Sequence, residues 1–256
     1  MNREPGKDRK LRHFTVRTLA ANVVTTLALS AGMTAVRFAL EQRFELAVVF
    51  VIAASVLDAL DGAVARLLKS TSRFGAELDS LSDVIAFGVA PAFLLYSWGL
   101  AHMERIGWIV SLAFGVACAL RLARYNARLE TDDDRDDPRR ALGFFTGVPA
   151  PAGAGLALLP MVVDFAFGSA VFRDSAILVP YVAMVAALMV SRLPTFSLRQ
   201  LRVKPEMMVP SLFLFALFVA AVTVYRWTAV AAVVLAYLLS LPLSWLTYRR
   251  HRKGAA

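Results

Sequence analysis

The chain has 256 residues, of which 58% are hydrophobic and 18% charged, and its formal net charge is +9. A soluble domain of this size has no use for so much apolar side chain, and several runs reach the roughly 18 apolar residues that suggest a bilayer span. The single cysteine, Cys118, excludes an internal disulfide and a cysteine metal cluster; a thiol packed in a helix is its expected state.

Lipid cannot satisfy free backbone groups, so the spans are expected as α-helices and the fold as an all-α, polytopic transmembrane bundle. Residues 1–17, "MNREPGKDRKLRHFTVR", form a basic juxtamembrane segment, either a short helix on the membrane or disordered. The apolar run that follows has no clear small-residue cleavage site and meets the next span at once, so it reads as a span and not as a cleaved signal. Eight spans are expected, at 18–39, 46–68, 78–99, 106–126, 148–167, 175–193, 208–225 and 227–247. Pro149 and Pro151 favour an extended approach and then a helix start for the fifth. Between the fourth and fifth, "ETDDDRDDPRR" mixes both signs and reads as a solvated loop. The last two spans meet at "YRWT". Trp98, Trp108, Trp227 and Trp245 fit interfacial belts. His13, His102 and His251 are scattered near membrane surfaces and are assigned no chemistry.

The positive charge is mostly topological. Of the 28 Lys and Arg residues, 23 fall on the N-terminus, 66–76, 121–140, 192–204 and the C-terminus. The other side has five: Arg37, Arg43, Arg105, Arg173 and Arg226. The positive-inside rule places the first set in the cytoplasm. Both termini are then cytoplasmic, in a multi-pass protein of the inner (cytoplasmic) membrane, with the 100–105 loop facing outward. Attraction to anionic membrane lipids is a second role for this charge; no nucleic acid partner is expected.

The stretch "DALDGAVARLLKSTSRFGAELDSLSD" places four aspartates, Asp58, Asp61, Asp79 and Asp83, between two apolar runs. Asp58 and Asp61 are three apart and Asp79 and Asp83 four apart, so on helices each pair shares a face. Each pair lies near the cytoplasmic end of its span. The short connection makes the helices antiparallel neighbours, so the two acidic faces can converge. An aspartate within a membrane costs about 2.5–3.5 kcal/mol on insertion scales, and four together also repel. Arg66 and Lys69, the nearby cations, are too few to neutralise them. Carboxylate-only clusters suit hard cations such as Mg²⁺ or Mn²⁺, and two such ions form the usual clamp for displacement at phosphorus. Gly62, Gly75 and Ala65 let backbones approach each other or a ligand closely; tight helix packing and ligand approach both remain open.

Asp58-x-x-Asp61-Gly62-x-x-Ala65-Arg66, then eight residues, then Gly75-x-x-x-Asp79-x-x-x-Asp83 resembles the complete signature of the CDP-alcohol phosphatidyltransferase family. The resemblance implies a membrane enzyme with a six-helix core, here followed by about two C-terminal helices, and two divalent ions. It assigns Asp58, Asp61 and Asp79 chiefly to the metals. Asp83 is the implied general base and a further metal contact. Gly62, Ala65 and Arg66, with Gly75, are implied to hold the CDP donor. An acceptor hydroxyl attacks the CDP-linked lipid and CMP leaves. Homodimers are common in the family, though no residue here marks an interface. The division this suggests is a catalytic core over 18–193, C-terminal transmembrane helices over 194–247 and a basic cytoplasmic tail over 248–256.

Three further segments resemble the family's membrane-embedded bacterial phosphatidylserine synthases: "NVVTTLALSAG" at 22–32, "ALRLARYNARL" at 119–129 and "FFTGVPAPAGAGLALLP" at 144–160. Asn22 and Thr25 belong to the first and are implied in donor binding. Ala21 departs from the proline that many relatives carry there, which puts the shape of the helix start in doubt. The likeness implies CDP-diacylglycerol as donor and L-serine as acceptor. Arg121 and Arg124 lie at the depth of the aspartates, and arginine can grip a carboxylate in bidentate fashion; anchoring by the positive-inside rule is the competing reading of both. Asn126 either orients the acceptor or caps the helix end, and Thr146 and Gly147 are further pocket candidates by resemblance. The alternatives for the acceptor are glycerol 3-phosphate, an inositol phosphate or choline. A cation-coupled transporter is a different class, disfavoured because the acids sit near one membrane face and no inverted repeat of them appears. A non-catalytic scaffold on the same fold is disfavoured by the complete aspartate set.

Overall fold

The structure, a computed structural model, describes residues 16–68, 72–130, 144–191, 194–196 and 223–254. Helices α1 (Val16–Leu40) and α2 (Phe44–Leu68) are antiparallel neighbours joined by a tight turn with Gln42 at φ 60°. The third span has three consecutive parts: α3 (Arg73–Asp83), a π-helical segment (Val84–Val89) and α4 (Ala90–Trp98). A 3₁₀ turn leads into α5 (Glu104–Glu130), and α6 (Ala150–Phe167), α7 (Ser175–Val190) and α8 (Arg226–Gly254) follow. Six of the described helical stretches are long and apolar enough to cross a membrane, and α7 is a shorter apolar helix. The protein is a polytopic all-α membrane bundle. The expected seventh span, 208–225, lies outside the described residues except for its last three, as do the acidic loop at 131–140 and residues 1–15. α1 runs unbroken through Ala21, where many relatives were expected to carry proline.

Small residues decide how the first three spans pack. On α2 the buried or half-buried positions Ala47, Val51, Ala54, Asp58 and Asp61 recur every three or four residues. On α1 Thr25, Ala28, Ala31, Ala35 and Ala39 do the same. In lipid, apolar burial gives little drive for helix association, and alanine seams let backbones come close enough for dispersion to hold them. Both seams turn polar at the same end, where Thr25 meets Asp61. The third span packs closely against α1 as well: a Cβ on Gly32 would lie 2.8 Å from the Ala86 Cα. α1 therefore stands between the two helices that carry the acids.

The π-helical segment is wedged between α1 and α5. On its far side a Cβ on Gly88 would lie 3.1 Å from the Cys118 Cβ. The Ala90 N–H reaches back five residues to the Ile85 carbonyl, and Pro91, which has no N–H, follows at once. The Ser111 hydroxyl donates to the Ala92 carbonyl. Such one-turn widenings concentrate at functional sites; this one begins at the residue after Asp83.

At the opposite end of the bundle the Arg173 guanidinium grips Asp164 through Nε at 3.0 Å and Nη2 at 2.9 Å. It also lies over the Trp98 ring, 5.6 Å from its centroid. The Ser175 hydroxyl donates to the Gly99 carbonyl at 2.8 Å. These contacts join the ends of α4 and α6 to the start of α7. Trp98 and Trp227 are buried by packing, whereas Trp108 is exposed. One small sheet was not legible in the sequence: Phe144–Thr146 pairs antiparallel with Pro194–Phe196, tying the chain before α6 to the chain after α7.

Gly32 is remote from the carboxylates in sequence and carries no side chain to do chemistry. Because the added methyl would press on Ala86 backbone atoms, Gly32→Ala should destabilise the bundle by about 1–3 kcal/mol. It should also lower turnover by pushing the third span, which carries Asp79 and Asp83, away from α1. Thermal unfolding in detergent together with CMP release checks this; a variant with wild-type values for both removes the tight contact between α1 and the third span as a requirement.

Candidate active site

The acidic faces of α2 and α3 do converge. One carboxylate oxygen from each of Asp58, Asp61 and Asp79 lies within 4.8 Å of the others. Asp61 is buried and accepts a 2.7 Å hydrogen bond from the Thr25 hydroxyl, which is also 3.2 Å from the Ala21 carbonyl. The Ser82 hydroxyl donates to the Thr25 carbonyl at 3.4 Å. A single threonine on α1 thus fixes an acid on α2 through its side chain and touches α3 through its backbone. Asp79 Oδ1 is buried and has no hydrogen-bond partner among the described residues. A buried anionic oxygen left so costs several kcal/mol unless a cation meets it. No lysine or arginine forms an ion pair with these three acids among the described residues. An all-oxygen, all-carboxylate donor set of this size fits a hard divalent cation, so the residues present suit the metal that the sequence pattern implies.

Asp83 stands outside that trio but adjoins it. Its carboxyl is within hydrogen-bonding reach of Asp58, and the Arg121 guanidinium on α5 is in its electrostatic field. The side chains implied in donor binding line the same end. Ser72 caps α3, its hydroxyl accepting from the Gly75 N–H at 3.0 Å. A Cβ on Gly75 would lie 2.9 Å from the Asn22 side-chain oxygen, so glycine is what admits buried Asn22 there. The exposed Arg66 side chain folds back one turn, bringing Nη1 to 3.4 Å from where a Gly62 Cβ would stand. Ala65 lies on the same stretch of α2.

The three acceptor candidates divide. Arg121 points inward, with Nε buried and unpartnered among the described residues. Arg124 donates from Nη1 to the Val190 carbonyl at 2.8 Å, closing the end of α7. Asn126 donates to the Ser80 hydroxyl at 2.7 Å, linking α5 to α3. Gly147 adopts φ 79°, with the Ser191 carbonyl 2.9 Å from a would-be Cβ, and so serves the close turn before α6. Sequence reasoning missed Tyr237 on α8, whose buried hydroxyl has no partner among the described residues and lies in the electrostatic field of Arg121. A lone tyrosine in an apolar helix carries no signal of such a place.

Comparison with known proteins agrees with this geometry. The family model described as CDP-alcohol phosphatidyltransferase matches residues 18–193. The chain is 37% identical over 221 residues to the CDP-diacylglycerol–serine O-phosphatidyltransferase of Mycobacterium leprae, covering 86% of this chain and 72% of the relative. It is 36% identical over 239 residues to the Mycobacterium tuberculosis protein of that name, covering 93% and 82%. The Helicobacter pylori protein of that name is 37% identical over 180 residues, covering 70% and 73%. With the signature aspartates gathered at one end of a membrane bundle, the chain belongs to the CDP-alcohol phosphatidyltransferase family and is a membrane-embedded enzyme.

Proposed function

We propose that the protein transfers the phosphatidyl group of CDP-diacylglycerol to the hydroxyl of L-serine, giving phosphatidylserine and CMP. The observation that carries the reading is the carboxylate trio of Asp58, Asp61 and Asp79 with an orphaned buried oxygen. The serine acceptor rests on the names of the relatives and on the inward Arg121. Mg²⁺ or Mn²⁺ held by the trio would supply charge neutralisation at the pyrophosphate and Lewis-acid polarisation of the phosphate that stays with the lipid.

The chain's own groups do the rest. Arg66, beside Gly62, meets pyrophosphate charge, and Asn22 and Gly75 shape the donor end. Asp83 accepts the proton of the serine hydroxyl as its oxygen bonds to the lipid-side phosphorus. The bond from that phosphorus to the bridging oxygen breaks, and CMP leaves with the electron pair. Arg121 holds the serine carboxylate; Arg124, with Nη1 engaged on Val190, keeps its other donors for the same site. Serine brings no phosphate, so one well-placed guanidinium suffices, whereas glycerol 3-phosphate or an inositol phosphate would call for a basic cluster.

Chelation is the direct test. EDTA should stop CMP release from CDP-diacylglycerol and serine, and Mg²⁺ or Mn²⁺ should restore it. Asp61→Asn and Asp79→Asn should each lower turnover roughly a hundredfold or more, since even an outer partner of a metal is worth about 10- to 100-fold. Full turnover in metal-free buffer sinks the metal assignment. A wild type that ignores serine and uses glycerol 3-phosphate keeps the chemistry and replaces the acceptor.

The orientation is proposed from the 23-to-five division of basic residues. The active site and both termini then face the cytoplasm. His102→Cys, made with Cys118→Ala, should react with an impermeant thiol reagent in intact cells. Labelling seen only after the membrane is opened reverses the orientation.

A further inference from the structure

The family match ends at residue 193, yet α8, which begins at Arg226, is packed into the bundle. Val234 comes within 3.6 Å of where a Gly155 Cβ would stand on α6, and the Trp227 and Phe165 ring centroids are 5.0 Å apart. Three residues beyond Val234, on the same helix face, is Tyr237. Its hydroxyl is shielded from solvent with no hydrogen-bond partner among the described residues, and so is Arg121 Nε on α5. Tyr237 and Asp83 both lie in the electrostatic field of Arg121. A buried phenol hydroxyl and a buried guanidinium nitrogen left unpaired are each costly. Both can donate hydrogen bonds, and they come from different helices. One small anion with acceptor oxygens, close to the reacting hydroxyl, satisfies both.

We propose that Tyr237 is a specificity-determining residue of the acceptor subsite: α8, from outside the family-matched region, supplies a hydroxyl that joins Arg121 in holding the acceptor's carboxylate. This rests on the serine reading above and adds a second donor to it. A phenol and a guanidinium together hold the carboxylate from two helices, which a single arginine does not. With the carboxylate fixed, the serine hydroxyl two bonds beyond the Cα is directed toward Asp83. The apolar remainder of α8 excludes water from the contact, which strengthens it. The 239-residue alignment with the Mycobacterium tuberculosis relative reaches into this helix.

The test uses the full chain, purified, with CDP-diacylglycerol, Mg²⁺ or Mn²⁺, and two acceptors, L-serine and L-serine methyl ester, in which the carboxylate is masked. The wild type should strongly prefer serine. Tyr237→Phe, which deletes only the hydroxyl, should raise the KM for serine roughly tenfold or more. It should leave the KM for CDP-diacylglycerol and the Tm near wild type, and narrow the preference for serine over its ester. An unchanged serine KM with an unchanged preference overturns the proposal. So does a rise in both KM values together with a fall in Tm, which marks Tyr237 as a packing residue. The ester arm needs no variant: a wild type that uses ester and serine equally well has no carboxylate subsite, and the proposal fails. If the wild type releases no CMP with either acceptor but does so with glycerol 3-phosphate, it is the serine reading that has failed.

Discussion

The hydrogen bond from Thr25 to Asp61 is the point on which the architecture turns. Carboxylates in a low-dielectric bundle repel one another and lose hydration, and they stay together only if the scaffold holds them there. α1 supplies that hold. It contributes the threonine that fixes Asp61, the carbonyl that Ser82 reaches and the asparagine seated against Gly75. Without α1 between them, α2 and α3 would bring three acids together with nothing to set their distance. The alanine seam and Gly32 serve the same end: they bring backbones close, and closeness makes a 2.7 Å contact between helices attainable.

The far end of the bundle solves a different problem with similar chemistry. Asp164 is buried, as Asp61 is at the site, and an intramembrane acid is by default a functional candidate. Here Arg173 neutralises it in a two-nitrogen contact and also stacks on Trp98. The contrast is instructive. Asp164, with a cationic partner, joins helix ends, whereas Asp79, whose Oδ1 has no partner among the described residues, stands where the proposed reading puts a cation.

Much of the site was legible because the aspartate spacing is itself geometry: intervals of three and four put each pair on one helix face, and a short connection lets the two faces converge. Composition and charge division likewise dictated a helical membrane bundle. What stayed hidden depended on register between distant segments. That Thr25 would meet Asp61 requires knowing how α1 slides on α2. The π-helical turn adds one residue to a uniformly apolar run, where no polar pattern records the shift. The strands at 144–146 and 194–196 are three residues each and nearly fifty apart, too short and too distant for any periodicity. Arg121 and Arg124, alike in sequence and on one helix face, differ in partner: Arg121 Nε is buried with none among the described residues, whereas Arg124 donates to the Val190 carbonyl at the end of α7, a contact that no local pattern records.

The proposed reading gives the bundle a functional asymmetry. In it, helices α1 to α3 carry the groups that meet the CDP-linked donor: the acids, the glycines and Arg66. The proposed acceptor groups come from elsewhere, Arg121 from α5 and Tyr237 from α8. The acids are held by a seam of small residues on α1 and α2, where a larger side chain would move backbones apart. The proposed acceptor groups are longer side chains on other helices, where a substitution would alter a pocket without moving the acids. In such an arrangement one reaction could be kept while its acceptor changes, and the last helix would act on specificity although it carries none of the signature residues.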